Sequence, residues 1–173
     1  QDSIVYEGEL SQVQAIQNAA SAYVYGSQLE VNWRLNTSLT LRSHNNYQKG
    51  EEEMDNGESS PSRHVAPLFG SSSISYEKGK IQLMFFANYN GAIENKDLNV
   101  NEKEKPHIYA TDENGLPHSP AWYTLNLRGG YTFSKNFTLN LGLENLSDQR
   151  YRTYSSGLAA AGRNFTFSLM ANF

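Results

Sequence analysis

The chain has no cysteine, so neither disulfides nor thiolate metal sites hold its fold. It has no run near the roughly 18 consecutive apolar residues that a membrane helix needs, which excludes a helical membrane protein. Lysine and arginine form no cluster, and 14 basic residues stand against 18 acidic ones for a formal net charge of −4. That balance gives no support for nucleic-acid binding. Hydrophobic residues make up only 38% of the 173 residues, and the mean hydropathy is −0.62. Aromatics are abundant all the same: 11 Tyr, 8 Phe and 2 Trp contradict the aromatic-poor signature of disorder. The length suits one domain of ordinary size. The chain opens at Gln1 without Met and without a basic-then-apolar leader, so a segment is expected upstream.

What is present is alternation. Counting back from the end, Phe173, Ala171, Leu169, Phe167 and Phe165 alternate with Asn172, Met170, Ser168, Thr166 and Asn164. Successive side chains of a strand point to opposite faces, so this segment has one apolar face and one that is polar except for Met170. The same period recurs in "NFTLNLGLEN", where Phe137, Leu139, Leu141 and Leu143 oppose Thr138, Asn140, Gly142 and Glu144. In "AWYTLNLRGGYTF", Tyr123, Leu125, Leu127 and Tyr131 oppose Thr124, Asn126, Arg128 and Thr132. Upstream, "KIQLMFFANYNG" alternates in the same way and follows the segment Leu68 to Tyr76, whose apolar face is blurred by three serines. "AYVYGSQLEVNWRL" turns through "NTS" into "LTLRSHNNYQ". The expected fold is all-β: an antiparallel up-and-down meander of about seven strands from Ala22 to Phe173.

The connections alternate too. Asn36 to Ser38, Glu77 to Lys80 and Ser134 to Asn136 are of hairpin length, whereas Gly50 to Ala66, Ile93 to Pro120 and Asp148 to Gly162 are long. Outer-membrane barrels keep short turns on the periplasmic side and long loops outside, and their strands need about 9 to 11 residues to cross the bilayer. A soluble sandwich or lipocalin-like barrel would hide the apolar face inside, whereas a membrane barrel turns it to lipid. Charged residues in mid-strand, among them Arg34, Arg42, Arg128, Glu30 and Glu144, suit a wet lumen. Trp33, Trp122, Phe133, Phe137 and Phe173 lie near strand ends, where aromatic girdles sit. Seven is an odd count, and single-chain bacterial barrels have even numbers. Either Gln1 to Gln17 supplies an eighth strand or this is the end of a larger barrel.

The stretch from Pro120 to Phe173 resembles the C-terminal end of a TonB-dependent outer-membrane receptor in the form found in Bacteroidota. The resemblance is carried by "ENLSDQRYRTYSSG" from Glu144 to Gly157, "AGRNFTFSL" from Ala161 to Leu169 and the terminal Phe173, with Ala161 where the family usually has proline. "RHVAPLFG" at Arg63 to Gly70 and "AYVYGSQLE" at Ala22 to Glu30 extend it upstream. It implies a barrel of about 22 strands around an N-terminal plug, importing an iron chelate, a vitamin or a glycan with energy passed through TonB. Residues 1–21 would then belong to an external loop or partial strand, and residues 22–173 would be the last seven strands of one barrel domain. The plug and the TonB-binding segment would lie outside this chain. The apolar face of Phe165, Phe167, Leu169 and Phe173 resembles the signal read by the barrel-assembly machinery.

For chemistry, the lumen-facing Arg34, Arg42, Arg128 and Glu144 are candidates for contact with ligand or plug, or for a wall of ion pairs. Arg150, Tyr151, Arg152 and Tyr154 open the last external loop and are candidates for capture, or for a fringe at lipid headgroups. His44, His64, His107 and His118 share no metal-ligand spacing, and the acidic run Glu51 to Glu58 has no EF-hand spacing, so no metal or cofactor is expected. Ser62, His64 and Asp55 lack any motif for a nucleophile or oxyanion site, and no enzyme is expected. The triplets at Asn36, Asn136, Asn145 and Asn164 read as accidental. The expected function is that of a receptor and transporter in the outer membrane, with lipid, TonB and a small imported ligand as partners. The alternative is a small complete eight-stranded barrel with a structural or adhesive role.

Overall fold

The computed structural model describes residues 3–6, 8–12, 21–54 and 56–172. Two short strands, β1 (Ser3–Tyr6) and β2 (Glu9–Gln12), pair only with each other. The main sheet follows. It contains β3 (Ala22–Arg34), β4 (Leu39–Glu53), β6 (Leu68–Lys78), β7 (Ile81–Asn90), β10 (Trp122–Thr132), β11 (Phe137–Glu144) and β12 (Asn164–Ala171), in that spatial order and antiparallel throughout. A three-residue strand, β5 (Ser59–Pro61), adds to the outer end of β4. The seven-strand meander expected from period two is therefore what the chain forms. Of the two readings of the odd count, an eighth strand from the first residues is not seen: Ser3–Tyr6 and Glu9–Gln12 pair only with each other, and residues 13–20 lie outside the described residues.

The three short turns are set by local chemistry. Asn36 Oδ1 accepts the backbone N–H of Ser38 at 2.8 Å and of Leu39 at 3.0 Å, the Asx-turn pattern. Gly79 takes φ +60° between β6 and β7, a conformation L side chains rarely adopt, and leaves a loop of only Gly79 and Lys80. Ser134 Oγ accepts the Asn136 N–H at 3.2 Å. On the opposite rim, the first long connection is shorter than expected. Glu51, Glu52 and Glu53 continue β4 rather than opening a loop, because β5 and β3 both hydrogen-bond alongside them.

The register sorts side chains into two faces across the whole sheet. One row reads Trp33, Leu41, Ile74, Phe85, Leu127, Leu143, Phe165, one residue from each strand in turn. The row on the other face reads Arg34, Thr40, Ser75, Met84, Arg128, Gly142, Thr166. The apolar row is not buried: Trp33 and Phe165 on the edge strands retain 59% and 61% of their accessible surface, and Ile74, Phe85 and Leu127 in the middle of the sheet are exposed too. A soluble sandwich would bury it. Instead, the buried hydrophobic residues among those described are Ile93 and Leu98, both in the second long connection. The sheet is thus inside out for water and right for lipid, a β-barrel wall with β3 and β12 at its two edges. No described helix is long and apolar enough to cross a membrane; the crossing elements are strands.

Candidate functional site

The long connections gather at the rim opposite the turns and are themselves structured. The second contains a one-turn helix, α1 (Val100–Lys103), and a miniature hairpin of β8 (Ala110–Thr111) and β9 (Pro117–His118). Asn99 caps α1, its Oδ1 accepting the Asn101 N–H at 2.9 Å. The same side chain donates through Nδ2 to Glu52 Oε1 and to the Pro61 carbonyl, both at 2.7 Å. The Val100 N–H donates to Ser60 Oγ at 3.2 Å. These bonds seat α1 on the β4–β5 extension, with Leu98 and Asn99 fully buried beneath it.

Glu102 is the charged centre of this assembly. Its side chain is 1% exposed and pairs with Arg63 at 3.2 Å and Lys105 at 2.9 Å, and the Tyr109 hydroxyl donates to it at 2.6 Å. Burial pushes its pKa up, but the bonds from Tyr109 and Lys105 outweigh burial and hold it down at about 2. The converse appears in the phenols: burial and the neighbouring carboxylate raise Tyr109 far above the ordinary range, and burial raises Tyr154 to about 12. The Tyr109 and Tyr154 rings lie 6.5 Å apart.

The third long connection is pinched at its base. Asn145, 3% exposed and at φ +49°, donates through Nδ2 to the carbonyls of Gln149 and Ala161 and accepts the Gln149 N–H on Oδ1. Its own N–H donates to Asn126 Oδ1 at 2.9 Å. Gln149 Oε1 in turn accepts the Tyr123 N–H at 3.2 Å. What leaves this knot is the segment Arg150 to Tyr154.

Between the second and third connections lies a recess of about 440 Å³, walled by Trp122, Tyr109, His107, Arg150, Tyr151 and Arg152. Trp122 and Tyr151 stack with ring centroids 4.1 Å apart. The Trp122 indole N–H is buried without a partner. Arg152 donates to the His107 carbonyl at 3.2 Å, and Arg150 is exposed without an ion pair among the described residues. Three of the four loop candidates thus line one recess, and Tyr154 stands behind its Tyr109 wall. Trp122 corrects the girdle expectation: it shares the polar face with Thr124 and stacks inward, whereas Trp33, Phe133 and Phe137 are exposed. Phe173 lies outside the described residues.

Lower on the polar face a second recess of about 390 Å³ collects Arg42, Glu77, Gln82, Arg128, Asn140 and Thr166. Arg128 Nη2 donates to Glu144 Oε1 at 2.6 Å, and its guanidinium lies 5.0 Å from the centre of the Phe86 ring. Arg34 shares the Arg128 row four strands away, and neither it nor Arg42 has an ion pair among the described residues. On the other face Phe165, Phe167 and Leu169 are all exposed along β12.

The remaining sequence candidates do not converge. His44 meets Gln28 at 2.8 Å on the polar face, His64 sits in a turn at φ +61°, and no group of three potential metal ligands occurs among the described residues. Ser62 makes no hydrogen bond to His64, its hydroxyl being buried without a partner, and Asp55 lies outside the described residues. Of the acidic run, Glu51 accepts from the Tyr23 hydroxyl, Glu52 from Asn99 and Glu53 from the Ser21 hydroxyl; they are anchors. Sequence reading missed Asn99, Glu102, Asn126 and Asn145. The Asx-type start of α1 at Asn99 was the one local signal available.

The family described as "TonB dependent receptor-like, beta-barrel" matches residues 1–146. Transferrin-binding protein A of Neisseria meningitidis serogroup B is 35% identical over 71 residues, covering 30% of this chain and 8% of that protein. Among solved structures, the copper transporter OprC superposes with a TM-score of 0.67 at 18% identity, covering 88% of this chain and 24% of its own. The siderophore receptor PiuA from Acinetobacter baumannii gives 0.60 at 18% identity, covering 87% of this chain and 22% of its own. The chain spans 8% of the curated relative and about a quarter of these structures.

Proposed function

This chain belongs to the TonB-dependent receptor-like β-barrel family, whose members sit in the bacterial outer membrane, and from that premise we propose that it forms the C-terminal wall of a transporter that binds a scarce ligand outside the cell and imports it. The observation that carries the reading is the external recess, where Trp122, Tyr151, Arg150 and Arg152 meet at the top of the polar face. It offers aromatic surface and cations beside a buried indole N–H that has no partner. Among the ligand classes, a metal chelate is favoured by the names of similar proteins, which include a copper transporter and a siderophore receptor.

In this reading residues 22–173 are barrel and residues 1–21 belong to an external connection. The plug, and the segment that meets TonB, lie elsewhere in the protein. Arg34, Arg42, Arg128 and Glu144 line the lumen, where a polar wall meets plug or ligand. The exposed Phe165, Phe167 and Leu169 face lipid after the barrel-assembly machinery has inserted the strand.

The test is uptake of radiolabelled ferric chelates by iron-limited cells carrying the full-length protein, with and without functional TonB. TonB-dependent uptake that falls in Tyr151→Ala and in Arg150→Ala/Arg152→Ala supports the reading. An outer-membrane band near the 19.4 kDa of this chain, heat-modifiable and without TonB-dependent uptake, would instead establish a small complete barrel.

A further inference from the structure

We propose that Glu102 is a positioning residue that couples the three external connections into one unit and, through Tyr109, sets a wall of the recess. This rests on the reading that the recess captures ligand. Arg63 reaches Glu102 from the first connection, 39 residues away in sequence. Lys105 and Tyr109 reach it from the second. The third is joined through the ring of Tyr154 against Tyr109 and through Arg152 on the His107 carbonyl. Tyr109 therefore has two roles: its hydroxyl is fixed by the carboxylate, and the residue is part of the recess wall.

The chemistry explains why a carboxylate stands there. A buried anion is tolerated only when paired and hydrogen-bonded, and Glu102 collects two cations and one phenol from two different connections. An isosteric amide would keep the volume while surrendering the charge that draws Arg63 and Lys105 in. Because the partners come from separate connections, releasing the charge frees more than one loop at once. Rearrangement of the second connection is thereby transmitted to the residues around Trp122 and Tyr151.

Hydrogen exchange of the full-length receptor in detergent, without ligand, tests this on peptides covering residues 58–66, 98–110 and 150–157. Glu102→Gln is expected to lose protection in all three, and Glu102→Asp, which keeps the charge, to recover part of it in all three. Loss confined to residues 98–110, or equal protection in the Gln and Asp variants, would overturn the proposal. Where Glu102→Gln fails to give a heat-modifiable barrel, Tyr109→Phe takes its place, with protection expected to fall at residues 150–157 and unchanged protection there overturning the idea. Exchange is read without transport, so this result stands apart from the uptake experiment.

Discussion

Asp148 Oδ1 accepts the backbone N–H of Arg163 at 2.7 Å, closing a 15-residue connection at its base one turn beyond the Asn145 knot. Both residues occupy left-handed backbone, Asn145 at φ +49° and Asp148 at φ +52°, where asparagine and aspartate are the side chains best tolerated after glycine. The packing at this point is close: a Cβ on Gly162 would stand 2.7 Å from Asp148 Oδ1. The motif "ENLSDQ" and the motif "AGRNF" are therefore two halves of one hydrogen-bonded closure.

Replacing Asn145 by alanine removes partners from the Gln149 N–H and from the carbonyls of Gln149 and Ala161. Groups left unsatisfied in a buried site cost about 1–3 kcal/mol. Asp148→Ala, at an exposed position, is expected to cost less, about 1 kcal/mol. Thermal conversion of the heat-modifiable band in the full-length receptor ranks the two, and an Asn145→Ala receptor that converts with wild type would refute the account.

The pH dependence of the loop assembly follows from Glu102. Its folded pKa of about 2 lies below its ordinary 4.5, so its contribution is complete above pH 4.5 and declines as pH falls toward 2. Tyr109 and Tyr154, both raised, stay protonated across that range. The difference in exchange protection between wild type and Glu102→Gln at residues 98–110 is expected to be flat from neutral pH to about 5 and to vanish near 2. A difference that disappears already near pH 6 would assign the effect to another group.

The Arg128–Glu144 pair is short, yet its side chains retain 55% and 35% of their surface. Solvent screening limits such a pair to about 1 kcal/mol at most. Glu144→Gln is expected to shift receptor stability by no more than that. If the polar wall meets plug or ligand, the same variant lowers uptake while leaving the barrel intact; unchanged uptake would leave the pair as wall structure only and remove it from the transport argument.

The sheet was legible in the sequence because a strand has two faces and this one meets two different media. Rows such as Trp33 to Phe165 and Arg34 to Thr166 appear in the chain as simple alternation, and the turns announce themselves through Asn36, Gly79 and Ser134. The site was legible only in part. Arg150, Tyr151 and Arg152 stand out in the sequence because they open a long connection, and the structure sets them around one recess. Glu102 was hidden in "NEKEK", a run that reads as solvated charge, because the partner that buries it, Arg63, comes from another connection. Glu51 to Glu53 read as loop for the same reason: Tyr23, Asn99 and Ser21, which satisfy them, are distant in sequence. Trp122 was misplaced by its position near a strand end, although its parity with Thr124 already assigned it to the inner face.

Two glycines separate backbone crowding from side-chain crowding. A Cβ on Gly26 in β3 would overlap the Tyr47 carbonyl oxygen and stand 2.9 Å from Gln48 Cα, both backbone atoms of the paired strand. A Cβ on Gly142 in β11 would instead overlap the Thr166 hydroxyl, a group that can turn away about one bond, while its next neighbour, Thr166 Cβ, is 3.7 Å off. Backbone in a hydrogen-bonded ladder has no such freedom: relieving the clash at Gly26 means displacing β4 along Gly26–Gln48 and its neighbours. Overpacking of this kind costs about 1–3 kcal/mol, so Gly26→Ala is expected to lower the yield of heat-modifiable receptor and its conversion temperature. Gly142→Ala is expected to cost under about 1 kcal/mol, the hydroxyl taking another staggered position. If the two variants behaved alike, close approach of β3 and β4 would not be what holds Gly26 in place.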